Sequence, residues 1–258
     1  MAGFMDILGT MMQQGMAQSG GTRMKHALGG RGGLEDLLGG LGQMMGGTQT
    51  GQMSAAPDSS GMLGDVLGQL ANNKAALGGL GALAGALLGG GGKATRGAIG
   101  GGSLAMLASL AFSSLQKAGQ PRTQPPRALL EPRNEEEVQA LENDAEVIVK
   151  AMINAAKADG QIDQTEIEKI IGKLQEGGLT AEEKEFFQTE AQKRVDLKSV
   201  AAAVDGDIDL AAQVYAASLL AIEVDTQAER SYLKQLAAEL GLNPRITEHI
   251  EKTLGVDV

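Results

Sequence analysis

The 258-residue chain has no cysteine and no tryptophan, and only two tyrosines, four phenylalanines and two histidines. Without cysteine there can be no disulfide framework, no zinc-thiolate site and no thiol nucleophile, so the chain does not depend on an oxidising compartment. The histidines, His26 and His249, stand far apart, and neither has a catalytic partner near it in sequence. No GxSxG or HExxH occurs. Residues 89–94 (GGGGKA) fail as a phosphate-binding loop: Leu87 stands where a glycine is needed, Ala94 where a serine or threonine is needed, and no buried strand precedes them. Residues 97–102 (GAIGGG) fail as a dinucleotide fingerprint for want of a strand and a ribose-binding acid. These absences point to a non-enzymatic protein, with acid/base work by paired carboxylates such as Asp159 and Asp225 as the enzymatic alternative.

What is present divides near residue 133. Of the 38 glycines 31 lie at or before that position, as do 11 of the 12 methionines. The first part carries a net charge of +4 and the second −14. An acidic helical part repels nucleic-acid phosphate, which argues against DNA or RNA as a partner. The first twenty residues lack the basic start and unbroken apolar core of a cleavable signal, so retention on the cytoplasmic side is expected.

Residues 1–73 are rich in Gly, Gln, Met and Ser, and mostly disorder is expected there because little apolar surface is available to offset ordering entropy. One pattern recurs: Asp6-Ile7-Leu8-Gly9, Asp36-Leu37-Leu38-Gly39 and Asp65-Val66-Leu67-Gly68, spaced by 30 and 29 residues, each with an apolar residue upstream. Each copy suits a short amphipathic helix with Asp near its positive end and Gly as its stop, able to adhere to a partner or a lipid surface.

In the segment 74–115, residues 75–92 and 97–115 are two runs without a charge, separated by Lys93-Ala94-Thr95-Arg96. Both reach the lower limit of length for spanning a bilayer. Gly81, Gly85 and Gly89 form one small-residue ridge; Gly97, Gly101, Ala105, Ser109 and Ser113 form another. Such ridges allow close helix approach in lipid. The expectation is a hairpin or transmembrane segment touching membrane lipid through 75–115, with homo-oligomers through the ridges. Low-complexity soluble sequence is the other reading. Residues 116–133 hold four of the six prolines and four Lys/Arg, a semi-rigid basic linker suited to anionic headgroups.

From 134 to 258 an all-α domain of about seven helices is expected. Val138, Leu141, Ala145, Ile148, Val149, Met152 and Ala156 follow helical periodicity over about 135–158, with Asn134 as cap. Asp163 with Glu166, Thr180 with Glu183, and Thr226 with Glu229 have capping-box spacing; Asp196, Asp207 and Asn243-Pro244 mark three further starts. Two loops are related: residues 155–167 (AAKADGQIDQTEI) and 220–230 (LAIEVDTQAER) each place an Asp after a helix end and a Glu in the next first turn.

At these loops the chain resembles the TerB-like (tellurite-resistance) domains, and with its Gly-rich apolar first half it resembles the YebE-type family of bacterial inner-membrane proteins, named for a domain of unknown function. The resemblance implies a stress-response sensor or scaffold at the inner membrane, with the C-terminal domain cytoplasmic and a protein partner. It also implies a divalent cation held by Asp159, Asp163 and Glu166 of the first loop and Asp225 and Glu229 of the second. Hard cations do take several carboxylate oxygens. The spacing is not that of an EF-hand, and Asp163, Glu166 and Glu229 are already explained as caps and dipole partners, with no cofactor.

Overall fold

A computed structural model describes residues 3–14, 22–23, 26, 96–120, 124–160, 171–172 and 180–256. These form eight α-helices and no strand: α1 (Phe4–Gln14), α2 (Arg96–Lys117), α3 (Glu135–Ala156), α4 (Ala181–Gln192), α5 (Leu197–Val204), α6 (Ile208–Ala221), α7 (Gln227–Glu239) and α8 (Pro244–Leu254), with a 3-10 turn at Arg127–Leu129. The all-α expectation holds.

The helix starts are set by short polar side chains that take up N–H groups left without intrahelical partners. Asn134 accepts from Glu137 N at 2.8 Å. Asp196 does so for α5, Asp207 for α6 and Asn243 for α8, where Pro244 supplies the pre-set φ of a first helical position. Thr180 with Glu183 and Thr226 with Glu229 form full capping boxes. The proposed box at Asp163 and Glu166 lies outside the described residues, as do residues 75–92 and the second and third Asp-apolar-Leu-Gly copies.

Two helices form the centre. In α6 every residue from Leu210 to Ala221 is buried, and α2 is buried on all sides from Leu104 to Leu115 apart from the half-buried Met106 and Ser109. Alanines at 211, 212, 216 and 217 in α6 and at 105, 108 and 111 in α2 keep both cylinders thin. Around this pair lie α3 against α6, α8 against both, and α1 against α2 and α3, while α5 and α7 close the remaining side.

Residues 104–115 are therefore part of the core: Leu104, Leu107, Ala108, Ala111 and Leu115 are all within 1% of full burial, in contact with protein. Among the described residues no helix is long and apolar enough to cross a membrane. A helix that is apolar all round belongs either in a bilayer or in the middle of a protein, and periodicity alone does not separate the two. Ala105 and Ser113, two members of the second small-residue ridge, are buried inside the same molecule.

The first Asp-apolar-Leu-Gly copy forms the amphipathic helix that its pattern suits, within a segment otherwise expected to be mostly disordered. It is the centre of α1, and Ile7, Leu8, Met11 and Met12 are 1%, 0%, 2% and 5% exposed within the common core. Gly9 does not stop the helix, which continues to Gln14. At about 1.5–3 kcal/mol gross for each large apolar side chain removed from water, docking against preformed helices supplies the burial that the isolated segment lacks.

Candidate interaction site

The most distinctive local arrangement is the groove between α2 and α3 that holds α1. Its rim is completed by Phe186 of α4, which meets the Phe4 ring edge-on at a centroid separation of 4.7 Å and an interplanar angle of 72°. Lys150 of α3 lies 5.7 Å from the centre of the same Phe186 ring and pairs with Glu146 at 2.6 Å. The N-terminal end of α1 has no capping side chain of its own sequence. Glu142 of α3 takes that role: its Oε2 accepts from Met5 N at 3.2 Å, with Phe4 N also directed at the carboxylate. A methyl group in place of the Gly3 hydrogen would collide with this carboxylate, so glycine at position 3 is what lets Glu142 reach the helix end. Burial raises the Glu142 pKa; the two N–H donors oppose that, and the charges of Asp6 and Glu183 add to it.

Beyond α1, two described residues of the N-terminal arm, Arg23 and His26, touch the body. Arg23 is buried and donates to the carbonyls of Leu219, Ile222 and Glu223 at the C-terminal end of α6. Those carbonyls have no helical donors and carry the negative end of the helix dipole, so a guanidinium fork matches them in charge and geometry. Burial lowers the Arg23 pKa, partly offset by the charges of Glu223 and Glu229. The His26 ring lies against Gly255, the left-handed residue that ends α8. Arg23 faces a strained turn: Val224, buried and β-branched, has φ of 59°. From the other side Arg230 donates to Val224 O at 3.0 Å and Asp225 O at 3.1 Å, so two guanidinium groups grip one short connection.

The five carboxylates implied as cation ligands are placed as follows. Asp159 is exposed in the turn after α3. Asp163 and Glu166 lie outside the described residues. Asp225 is exposed in the connection to α7, while Glu229 is buried and its Oε2 accepts from Asp225 N at 3.1 Å, Thr226 N at 2.9 Å and Thr226 Oγ1 at 2.9 Å. Burial alone would raise the Glu229 carboxyl, but the Thr226 and Asp225 donors outweigh it and hold its pKa below the ordinary value. Of the five, the structure thus brings together Asp225 and Glu229. Among the described residues no group of three or more His, Cys, Asp or Glu is placed to hold a metal ion.

Two buried charges escaped sequence reasoning. Lys157, directly after α3, donates Nζ to Glu190 O at 2.8 Å and Lys193 O at 3.0 Å, a cation on the C-terminal end of α4; burial lowers its pKa, the Glu190 charge raises it and Lys193 lowers it. Asp144 is 8% exposed inside the apolar stripe of α3, with Arg127 Nε at 3.1 Å. Arg127 also bridges to Asp207, the cap of α6, at 3.3 Å. Burial, only partly countered by Arg127 and reinforced by Asp207, pushes the Asp144 pKa up to about 6. No signal in the sequence marks Arg23; Asp144 could have been noticed as an acid at a core-facing position between Leu141 and Ile148.

Comparison with known proteins gives one match. A family model described as protein of unknown function (DUF533) covers residues 71–254, a range that starts ahead of α2 and ends at the last residue of α8. No curated protein and no solved structure matches the chain.

Proposed function

Since the chain belongs to the DUF533 family, whose description brings no activity with it, we propose from its geometry that it is a non-enzymatic helical module for protein interaction, of the TerB-like and YebE type. The observation that carries this reading is α1 itself. An amphipathic helix laid by its apolar face into a groove between two helices is a general mode of peptide recognition. Here the groove supplies both an apolar floor under Ile7, Leu8, Met11 and Met12 and a carboxylate, Glu142, for the ligand's first turn.

The groove is tested with a labelled peptide of residues 3–14 and the full chain carrying Leu8→Asp, which vacates its own site. Saturable micromolar binding is expected, with none for the same peptide bearing Leu8→Asp. Equal binding of both peptides refutes the groove as a receptor.

The module is proposed to sit at the inner membrane with its body on the cytoplasmic side. With α2 committed to the core, the tether falls to residues 75–92, which carry no charge over 18 residues, at the short end of the roughly 17–25 needed to span. The burial of α2 equally favours a soluble, self-associating scaffold. Fractionation separates the two: retention on washed membranes that is lost on deleting 75–92 supports the tether, and full recovery of the intact chain without detergent removes it.

A further inference from the structure

The three Asp-apolar-Leu-Gly copies extend further than their four-residue core once the buried positions of α1 are known. Residues 3–13 align without gaps on 33–43 and 62–72. At the positions α1 buries, the third copy has Val66 for Ile7, Leu67 for Leu8, Leu70 for Met11 and Gly68 for Gly9, while Met12 gives way to the smaller Ala71; the half-buried Phe4 and Asp6 become Leu63 and Asp65. The half-buried Gly3, Met5 and Thr10 change, to Met62, Gly64 and Gln69. The apolar anchors at Ile7, Leu8 and Met11, kept in the third copy, are what a segment needs to fit the same groove.

We propose that the α2–α3 groove is a receptor for two segments of this one chain, and that residues 62–72 are its second occupant, taking the place of α1 when α1 leaves. This rests on the reading of the groove as a peptide receptor. The third copy is preferred over the second on three grounds. Glu35 of the second copy would stand at the Met5 position, bringing another carboxylate to Glu142, Glu183 and the copy's own Asp36. That copy also has glycine at 39, 40 and 42, each unfavourable in a helix. Its start follows His26, held against Gly255, by only seven residues, whereas residues 62–72 have 35 residues between them and His26 and 23 before α2 begins. A connection of that length places the third copy within reach of the groove, at an effective concentration above that of any second chain in dilute solution. α1 remains the better fit, because Phe4 reaches Phe186 and Gly3 leaves room for Glu142. Met62 stands at the Gly3 position, so Met62→Gly should strengthen the substitute.

The absence of native cysteine makes disulfide trapping in the full chain direct. The pair Gly3→Cys with Glu142→Cys reports α1 in the groove; the pair Met62→Cys with Glu142→Cys reports the third copy. In glutathione buffer both are expected to close within one chain, the second slowly with α1 intact and at least about tenfold faster with Leu8→Asp, because the groove is vacated. Adding Leu67→Asp to the second pair, with α1 intact, should abolish its bond while the body stays folded. The proposal is overturned if the second pair never closes, closes regardless of Leu67→Asp, or closes only between chains, which would make a second copy the occupant. Closure of the first pair without the second removes only the substitute occupant; failure of both removes the receptor as well.

Discussion

Replacing Leu8 by alanine in the full chain asks whether the first fourteen residues belong to the folded body. Leu8 is fully buried and lies in the same apolar cluster as Leu107, Ala111, Leu141 and Ala145. Buried Leu→Ala substitutions cost about 2–5 kcal/mol, from lost transfer energy plus the cavity left behind. The measured loss has a ceiling here, because α1 can undock without unfolding the helices it packs on. Once its docking energy is exhausted α1 leaves, and further damage to its apolar face has no effect on the remaining helices. The expected outcome is a loss of about 2–3 kcal/mol in urea denaturation of the full chain, with Leu8→Asp scarcely worse than Leu8→Ala. Amide exchange should rise in α1 first and then along the face of α2 that α1 covers. The control is Val138→Ala on α3: at 40% exposure it should change stability by less than about 0.5 kcal/mol. A Leu8→Ala chain within about 0.5 kcal/mol of the unmodified one, with unchanged exchange in α2, refutes the docking of α1 and with it the groove.

Three other outcomes follow from the buried charges. The Asp144 carboxyl titrates near 6 in the native state and near 3.8 when unfolded, so the native state binds the extra proton between those values; stability should rise as pH falls through that window and be lower by about 3 kcal/mol above it. Asp144→Asn should therefore flatten the 4-to-6 part of the stability profile and raise stability at pH 8, and a mutant less stable than the parent at pH 8 contradicts this balance. Arg23→Ala should lower stability by about 2 kcal/mol through loss of the charged donor at the end of α6, and Arg23→Lys should recover less than half, since one ammonium does not replace a planar fork on three carbonyls; full recovery by lysine would show that charge alone matters. Glu229→Ala should lower the melting temperature by the equivalent of about 1 kcal/mol, equally with and without millimolar calcium, whereas calcium-dependent melting of the parent that disappears in Glu229→Ala would return Glu229 to the role of cation ligand.

How much of this could be read from the residues depends on whether the relevant cause was local. Helix starts are local: Asn134, Thr180, Asp196, Asp207, Thr226 and Asn243 all cap as their spacing indicates, because each needs only an oxygen within three residues of free N–H groups. The pairing of Asp225 with Glu229 is local for the same reason. The environment of an apolar helix is not. Residues 97–115 and 208–221 are both apolar all round, yet only the first suggested lipid, because its neighbours are glycines and basic residues while the second sits between acidic loops. In the folded chain the two lie against each other, and each supplies the apolar surroundings that a bilayer would otherwise provide.

The same argument explains why the docking of α1 is not legible in its residues, although their pattern suits a short amphipathic helix. An eleven-residue segment with a central glycine and four methionine or branched aliphatic anchors is too short to hold a helix alone in water. Its order comes from Glu142, 137 residues beyond Met5, and from a floor built by α2 and α3. Arg23 is the clearer case: it lies 196 residues from Leu219, and the donors it presents are useful only because α6 ends where it does. A sequence that repeats the α1 pattern twice more before α2 begins thus carries more segments with that apolar face than it has described grooves to receive them. On the proposed reading this excess sets the copies in competition for one groove, and such competition would separate a binding module from a helix bundle that merely happens to have a long arm.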